Sequence, residues 1–277
     1  MNALSKKMPW SGKIGGIIVL IVVILALISF AWTPYDPVQV MPADRLQGSS
    51  LAHIMGTDRY GRDVFSQIMV GSRITLMVGI IAVAIAGIIG TPLGILAGMR
   101  GGWVESFVMR GADLMLAFPA LLLAIVSGAV FGASTTSAMI AIGVAGIPGF
   151  ARVARAGTLQ VMSQDFIAAA RVSKVSSPLI AIRHILPNIS SMIIVQASVA
   201  FALAILAEAA LSFLGLGTTP PDPSWGRMLH TAQASLGVTP MLAVWPGLAI
   251  ALTVLGFNLF GDGLRDAIDP KREVGRA

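Results

Sequence analysis

An all-α, polytopic membrane protein with six transmembrane helices is the fold class this sequence predicts. Three observations carry the prediction. Of 277 residues, 56% are hydrophobic and 12% charged, and the mean hydropathy is +0.84, outside the range of soluble domains. Runs without a charge cover 14–32, 74–99, 114–151, 189–207 and 228–261, each close to or beyond the roughly 20 residues a helix needs to cross the hydrocarbon core. No ten-residue alternation repeats along the chain, which favours self-satisfied helices over a barrel.

The elements follow in order. The first span, near 14–33, has a basic flank in Lys6, Lys7 and Lys13. Its apolar stretch exceeds the usual length of about 7–15 residues for a secretory signal, and no small-x-small site precedes Thr33-Pro34, so a retained anchor is expected. Residues 34–73 form an outer segment, extended at first around Pro34, Pro37 and Pro42, because a residue before proline is pushed out of helical geometry. Thr57 or Asp58 is expected to cap a short helix leading toward the second span, 74–98. That span carries Gly79, Gly87, Gly90, Gly94 and Gly98, small residues that let helix backbones approach closely. Run 114–151 is too long for one crossing. Its patch Gly132-Ala133-Ser134-Thr135-Thr136-Ser137 divides it into a hairpin of spans 107–131 and 138–157. Spans 189–214 and 241–261 complete the set, and Pro92 and Pro119 are expected kinks. Loop 215–240 is rich in turn residues, with Trp225 among them.

Fourteen of the nineteen lysines and arginines fall on one side of this topology. The positive-inside rule puts that side, with both termini, in the cytoplasm. That bias also accounts for the net charge of +6 without invoking nucleic acid. The sequence has no cysteine, which excludes disulfides, thiolate metal sites and cysteine nucleophiles.

The most informative stretch lies between the fourth and fifth spans, residues 163–187. It is polar, basic and flanked by long apolar runs. Ser163 or Asp165 is expected to cap a first short helix, and Ser177 before Pro178 a second, with Pro187 marking the next break. The residues alone leave two readings open. The insert is either a handle whose Phe166, Ile167 and Val172 enter a groove on a soluble partner, or an ordinary cytoplasmic loop with a basic face.

Glu208 is the one carboxylate well inside a predicted span. A buried charge in the membrane is costly, so it is a functional candidate. A structural or gating role is expected, with direct substrate contact the alternative. Asp58 and Asp63 suit helix capping and pairing with Arg59 or Arg62 better than metal binding. His53, His184 and His230 are scattered, without metal-site spacing. Asp262, Arg265, Asp266 and Asp269-Pro270 read as a polar end to the last span. There is no Gly-x-x-x-x-Gly-Lys-[Ser/Thr] loop; the one Gly-Lys pair, Gly12-Lys13, precedes Ile14. The chain has no means of hydrolysing ATP by that route, and no cofactor motif or catalytic constellation accompanies it.

Several motifs, in order, resemble the C-type permease subunit of dipeptide/oligopeptide/nickel ABC importers. They are Gly56-Thr57-Asp58 with Gly61-Arg62-Asp63, the run Ala207-Glu208-Ala209-Ala210-Leu211-Ser212-Phe213-Leu214-Gly215-Leu216-Gly217, Trp225-Gly226, and Asn258-Leu259-Phe260-Gly261-Asp262-Gly263-Leu264-Arg265-Asp266. The insert resembles that family's coupling loop, with Ala169, Ala170, Ile185, Leu186 and Pro187 matching. Two positions depart: the loop's glutamate is Ala168 here and its glycine is Lys174. A lysine held in left-handed geometry costs about 1 kcal/mol, so either the turn differs or the contact with the motor does.

The resemblance implies a type I importer core at 73–262, preceded by an anchor and outer segment (1–72) and followed by a cytoplasmic tail (263–277). It further implies a bacterial or archaeal plasma-membrane location and no cofactor in this chain. Expected partners are a homologous B-type permease, two cytoplasmic ABC ATPases, an extracytoplasmic binding protein and the surrounding bilayer, with no nucleic acid. Asp165, Phe166, Ala169, Ala170, Arg171, Lys174 and Pro187 would carry ATPase coupling. Spans 74–98 and 189–214 are expected to line part of the path, with bulk at Gly87 or Gly90 as the test. Di- or oligopeptides are the expected cargo, with nickel or another small solute as the alternative. A different class, the ion-coupled secondary transporter, would call for several mid-membrane ionisable groups and inverted repeats, and only Glu208 qualifies.

Overall fold

A computed structural model describes residues 8–268. Among the described residues, five helices are long and apolar enough to cross a membrane, and a bent pair makes a sixth candidate. They are α1 (Trp10–Ala31), α2 (Val64–Arg100), the bent pair α3 (Gly102–Leu116) and α4 (Ala120–Phe131), α5 (Thr135–Met162), the continuous stretch Ser177–Phe213, and α10 (Met241–Ile268). Shorter elements are α6 (Asp165–Val172), α7 (Ser177–Ile180), a π turn at Ala181–Ile185, α8 (Leu186–Phe213) and α9 (Trp225–Ala232).

The glycines of α2 do what their spacing suggests. A Cβ at Gly90 would run into the Ile147 carbonyl oxygen, at Gly94 into that of Ala151, and at Gly98 into the Thr158 side chain. The α2 and α5 backbones therefore nearly touch along three turns, where dispersion forces replace the hydrophobic drive that lipid does not supply. Bulk at Gly90 would break this seam whatever lines the path, so it does not report on a pore; Gly87 meets Phe150 only at an ordinary 3.5 Å. The first span is packed into the bundle: Gly12 lies against Gly263 and Gly15 against Gly256 and Phe260 of α10. Arg73 of α2 donates to Ser29 Oγ of α1 at 2.6 Å. Helix α10 runs on to Ile268, so no structural break separates 262 from 263; Asp269-Pro270 lie outside the described residues.

Three local expectations are corrected. Residues 107–131 are not one continuous helix: the candidate span is a pair of helices that breaks between Leu116 and Ala120 and turns by 79°. Pro119 stands at the N-cap of α4, where its missing N–H costs nothing, so it starts a new helix rather than kinking an old one. Pro187 does not end a helix either. The π turn before it, closed by Leu186 N–H to the Ala181 carbonyl, shifts the hydrogen-bond register, and the helix passes through proline unbroken. Lastly, α2 begins at Val64 rather than 74, capped by Asp63 rather than Thr57 or Asp58: its carboxylate accepts from Ser66 N–H at 2.7 Å.

The outer segment is folded onto that cap. Asp63 Oδ1 lies 2.9 Å from His53 Nδ1, both buried, with the Tyr35 ring 4.6 Å from the histidine. Asp58 staples the preceding turn, accepting from Tyr60 and Arg62 N–H and from Arg62 Nε at 2.7 Å. Tyr60 lies between Arg59 and Arg62. Nearby on α9, burial and then the Arg62 charge hold the Arg227 guanidinium below its usual value, with Tyr60 and Asp222 pulling the other way.

Candidate functional site

Two sites stand out, at opposite ends of α8. The first is the insert. Helix α6 starts after Gln164, which makes no side-chain cap, so neither Ser163 nor Asp165 caps it. Ser176 rather than Ser177 stands at the N-cap of α7, with the proline one position further in. Helix α6 closes with two backbone bonds, Val175 N–H to Ala170 O at 3.1 Å and Lys174 N–H to Arg171 O at 3.0 Å, and Lys174 takes φ 55°. This is the Schellman turn that glycine usually supplies, with Val175 packed into the apolar cluster that holds Ala170. The turn is kept and the lysine bears its strain.

The apolar face of α6 turns inward. Ile167 and Ala170 are buried in a cluster with Ile95, Val161, Ile180, Ile185 and Ile189, so these two are the bundle's own core rather than side chains offered to a partner. Exposed are Asp165, Phe166, Ala168, Ala169, Arg171, Val172, Lys174 and Pro187, with Val172 84% accessible. Phe166 and His184 face each other at 6.2 Å. The insert is thus seated on buried isoleucines, and its second half, from Ser177, is continuous with α8. Two ion pairs brace the same end of the bundle: Arg155 to Glu105, with Nε–Oε1 2.8 Å, and Arg152 to Asp113.

The second site surrounds Glu208, which is 1% exposed. Its Oε1 accepts from Ser212 Oγ at 2.6 Å and from Thr218 Oγ1 at 3.4 Å, while Ser212 Oγ accepts from Thr218 N–H at 2.9 Å. Thr218 also receives a bond from Thr135 at the start of α5, at 3.2 Å. Oε2 has no partner among the described residues. The carboxyl group therefore ties the end of α8 to the following loop and, through Thr218, to the α4–α5 turn. Helix α8 ends in a second Schellman turn, with Leu216 N–H to Leu211 O at 2.8 Å, Gly215 N–H to Ser212 O at 3.2 Å, and Gly215 at φ 79°.

Behind Glu208 stands α9, which a turn-rich loop gave no reason to expect. Ser224 caps it, Trp225 is buried and donates to the Ile68 carbonyl at 3.0 Å, and a side chain at Gly226 would strike the Ala209 carbonyl. The motifs around Glu208 and Trp225-Gly226 are thus one packing unit. The tie of Ser212, Thr218 and Thr135 to Glu208 was not read from the sequence, because short polar residues in apolar runs carry no periodic signal.

Residues 90–274 match the family described as binding-protein-dependent transport system inner membrane component. The chain belongs to this family. It is a permease component of an ABC importer. It is 43% identical over 258 residues, 93% of its length and 85% of the relative's, to the dipeptide transport system permease protein DppC of Alkalihalophilus pseudofirmus. It is also 44% identical to the glutathione transport system permease protein GsiD of Pectobacterium atrosepticum, over 92% of its own length and 85% of the relative's. Among solved structures, an inward-facing MetNI methionine ABC transporter shares the fold. That match has a TM-score of 0.60 at 16% identity and covers 73% of this chain and 97% of the other. The permease fold is therefore that of a type I importer, and its place is the inner membrane.

Proposed function

We propose that this permease forms half of the translocation path of an ATP-driven importer for di- or oligopeptides, paired with a homologous B-type permease. Two cytoplasmic ABC ATPases hydrolyse the ATP, and an extracytoplasmic binding protein delivers the cargo. Both termini and the 163–187 insert face the cytoplasm. The exposed row Asp165, Phe166, Ala169, Arg171, Val172, Lys174 and Pro187 receives the ATPases.

One observation carries the reading: the insert is seated on a buried cluster shared with α2, α5 and α8, and its second half, from Ser177, is one helical piece with α8 to Phe213. A push on its outer surface is therefore passed to α8 as a rigid-body movement rather than absorbed by a soft loop. At the far end of α8, Glu208 joins that movement to the outer turn and to α5, and its role is structural or gating. The peptide assignment is supported by relatives named for dipeptide and glutathione transport; nickel remains the alternative cargo.

Uptake into vesicles holding the assembled importer tests the proposal. Labelled dipeptide should accumulate with ATP and binding protein present, and a proton or sodium gradient without ATP should give none. Gradient-driven uptake by the purified chain alone would contradict it, and uptake of nickel but not peptide would move the cargo to the alternative.

A further inference from the structure

An open cleft of about 760 Å³ lies between the inner-end half of α2 and the insert, a size ordinary for a ligand site. Its walls are aliphatic: Ile88, Leu96 and Met99 on one side, Ile182, Leu186 and Ile193 on the other. Ile88 and Ile182 are 72% and 64% accessible, so the cleft is not sealed by this chain. Four polar side chains line it, Ser177 among them. Arg100 and Arg171 both do, and neither pairs with a carboxylate among the described residues; Arg171 reaches only the Met162 sulfur, at 4.0 Å. Thr91 also lines it, and its buried Oγ1 has no hydrogen-bond partner among the described residues. The buried hydroxyls of Thr75 and Thr158 are likewise unpaired among the described residues, and of the three only Thr91 borders the cleft.

We propose that this cleft holds one anionic phospholipid. The phosphate sits on Arg100 and Arg171, an ester or hydroxyl oxygen of the glycerol backbone accepts from Thr91, and an acyl chain runs along the isoleucine wall. Charge complementarity selects this occupant. Two unpaired arginines at the end of an apolar trench in a membrane helix bundle match an anionic head with a hydrocarbon tail, as basic pockets between transmembrane helices do generally. A neutral helix of another subunit would fill the trench but leave both guanidinium groups and the hydroxyl unanswered. The site has a consequence for coupling. Val175, Ser177, Pro178 and Ala181 also border the cleft, so the lipid bridges α2 and the insert and stiffens the joint through which the insert moves. That the lipid comes from the inner leaflet rests on the orientation proposed above; the binding itself does not.

The test is intact-mass spectrometry of the purified permease assembly, delipidated and then supplied with phosphatidylglycerol or phosphatidylcholine of matched chains. One phosphatidylglycerol should bind per copy of this chain, about thirtyfold tighter than phosphatidylcholine. The double variant R100Q/R171Q should lose that preference. R110Q, at an exposed arginine of α3 outside the cleft, should keep the preference. L96W, which narrows the cleft without touching charge, should weaken both lipids together and decides the matter should the double variant fail to assemble. Equal retention of the two lipids, an unchanged preference in R100Q/R171Q, or efficient short-range cross-linking of L96C to the partner permease would overturn the proposal. Because the readout is binding and not uptake, these outcomes stand apart from failure of the transport reading.

Discussion

Two helix ends, one before and one after the fifth crossing, are closed by the same turn made with different residues. At the Glu208 end, α8 stops at Gly215 with φ 79°; at the insert, α6 stops at Lys174 with φ 55°. Each turn has the same pair of backbone bonds. Each also has an apolar residue after the turn in the same buried cluster as one on the last helical turn: Leu216 with Leu211, Val175 with Ala170. The comparison teaches that the hydrogen bonds and the buried apolar contact make the turn, while glycine only removes the strain of a Cβ, about 1 kcal/mol. The departure at Lys174 therefore leaves the shape of the insert intact. What it changes is charge: an exposed cation at 174 and no carboxylate at 168 make this surface more basic than the family pattern.

Four experiments would break or sharpen that comparison. The largest effect is expected at the packing unit behind the outer turn. Gly226→Val drives a side chain into the Ala209 carbonyl and should cost more than about 4 kcal/mol, read as loss of monodisperse protein on size exclusion. Next comes Glu208→Ala, which removes the acceptor for Ser212 and Thr218 and leaves a cavity, at about 2–4 kcal/mol. Glu208→Gln keeps an acceptor oxygen and should stay within about 1 kcal/mol of wild type by thermal unfolding. A glutamine variant that folds but does not transport would show that the ionisable carboxyl, not the tie, is what matters. The turns themselves should behave as opposites. Gly215→Lys should lower stability by about 1 kcal/mol and Lys174→Gly raise it by a similar or smaller amount; a destabilising Lys174→Gly would mean that the lysine carries an interaction the turn geometry does not account for.

Much of this architecture was legible because lipid imposes a strong rule: charge-free runs of sufficient length become helices, and they run unbroken at five of the six expected places. The sixth, 107–131, has the composition of a span but is bent by 79° at the break before Ala120, and hydropathy does not register direction. Proline was ambiguous in the other sense at Pro187, where a π turn absorbed it. The apolar residues of α6 were legible as Phe166, Ile167 and Val172, of which only Ile167 is buried. Sequence alone does not say whether such a residue is buried by the chain's own bundle or by a partner, and for Ile167 it is the former. The pairing of His53 with Asp63, ten residues away across a loop, has no periodic trace at all.

The central claim is that the exposed row on α6 is the surface gripped from the cytoplasm. The absence of native cysteine makes it directly testable with Val172→Cys, at the most exposed apolar position of that helix, reacted with a membrane-impermeant maleimide. The account predicts labelling in inside-out vesicles and not in intact cells, protection when the ATPases are assembled, and a short cross-link from this cysteine to an ATPase subunit. Labelling from outside intact cells, or full labelling regardless of bound ATPase, would contradict it.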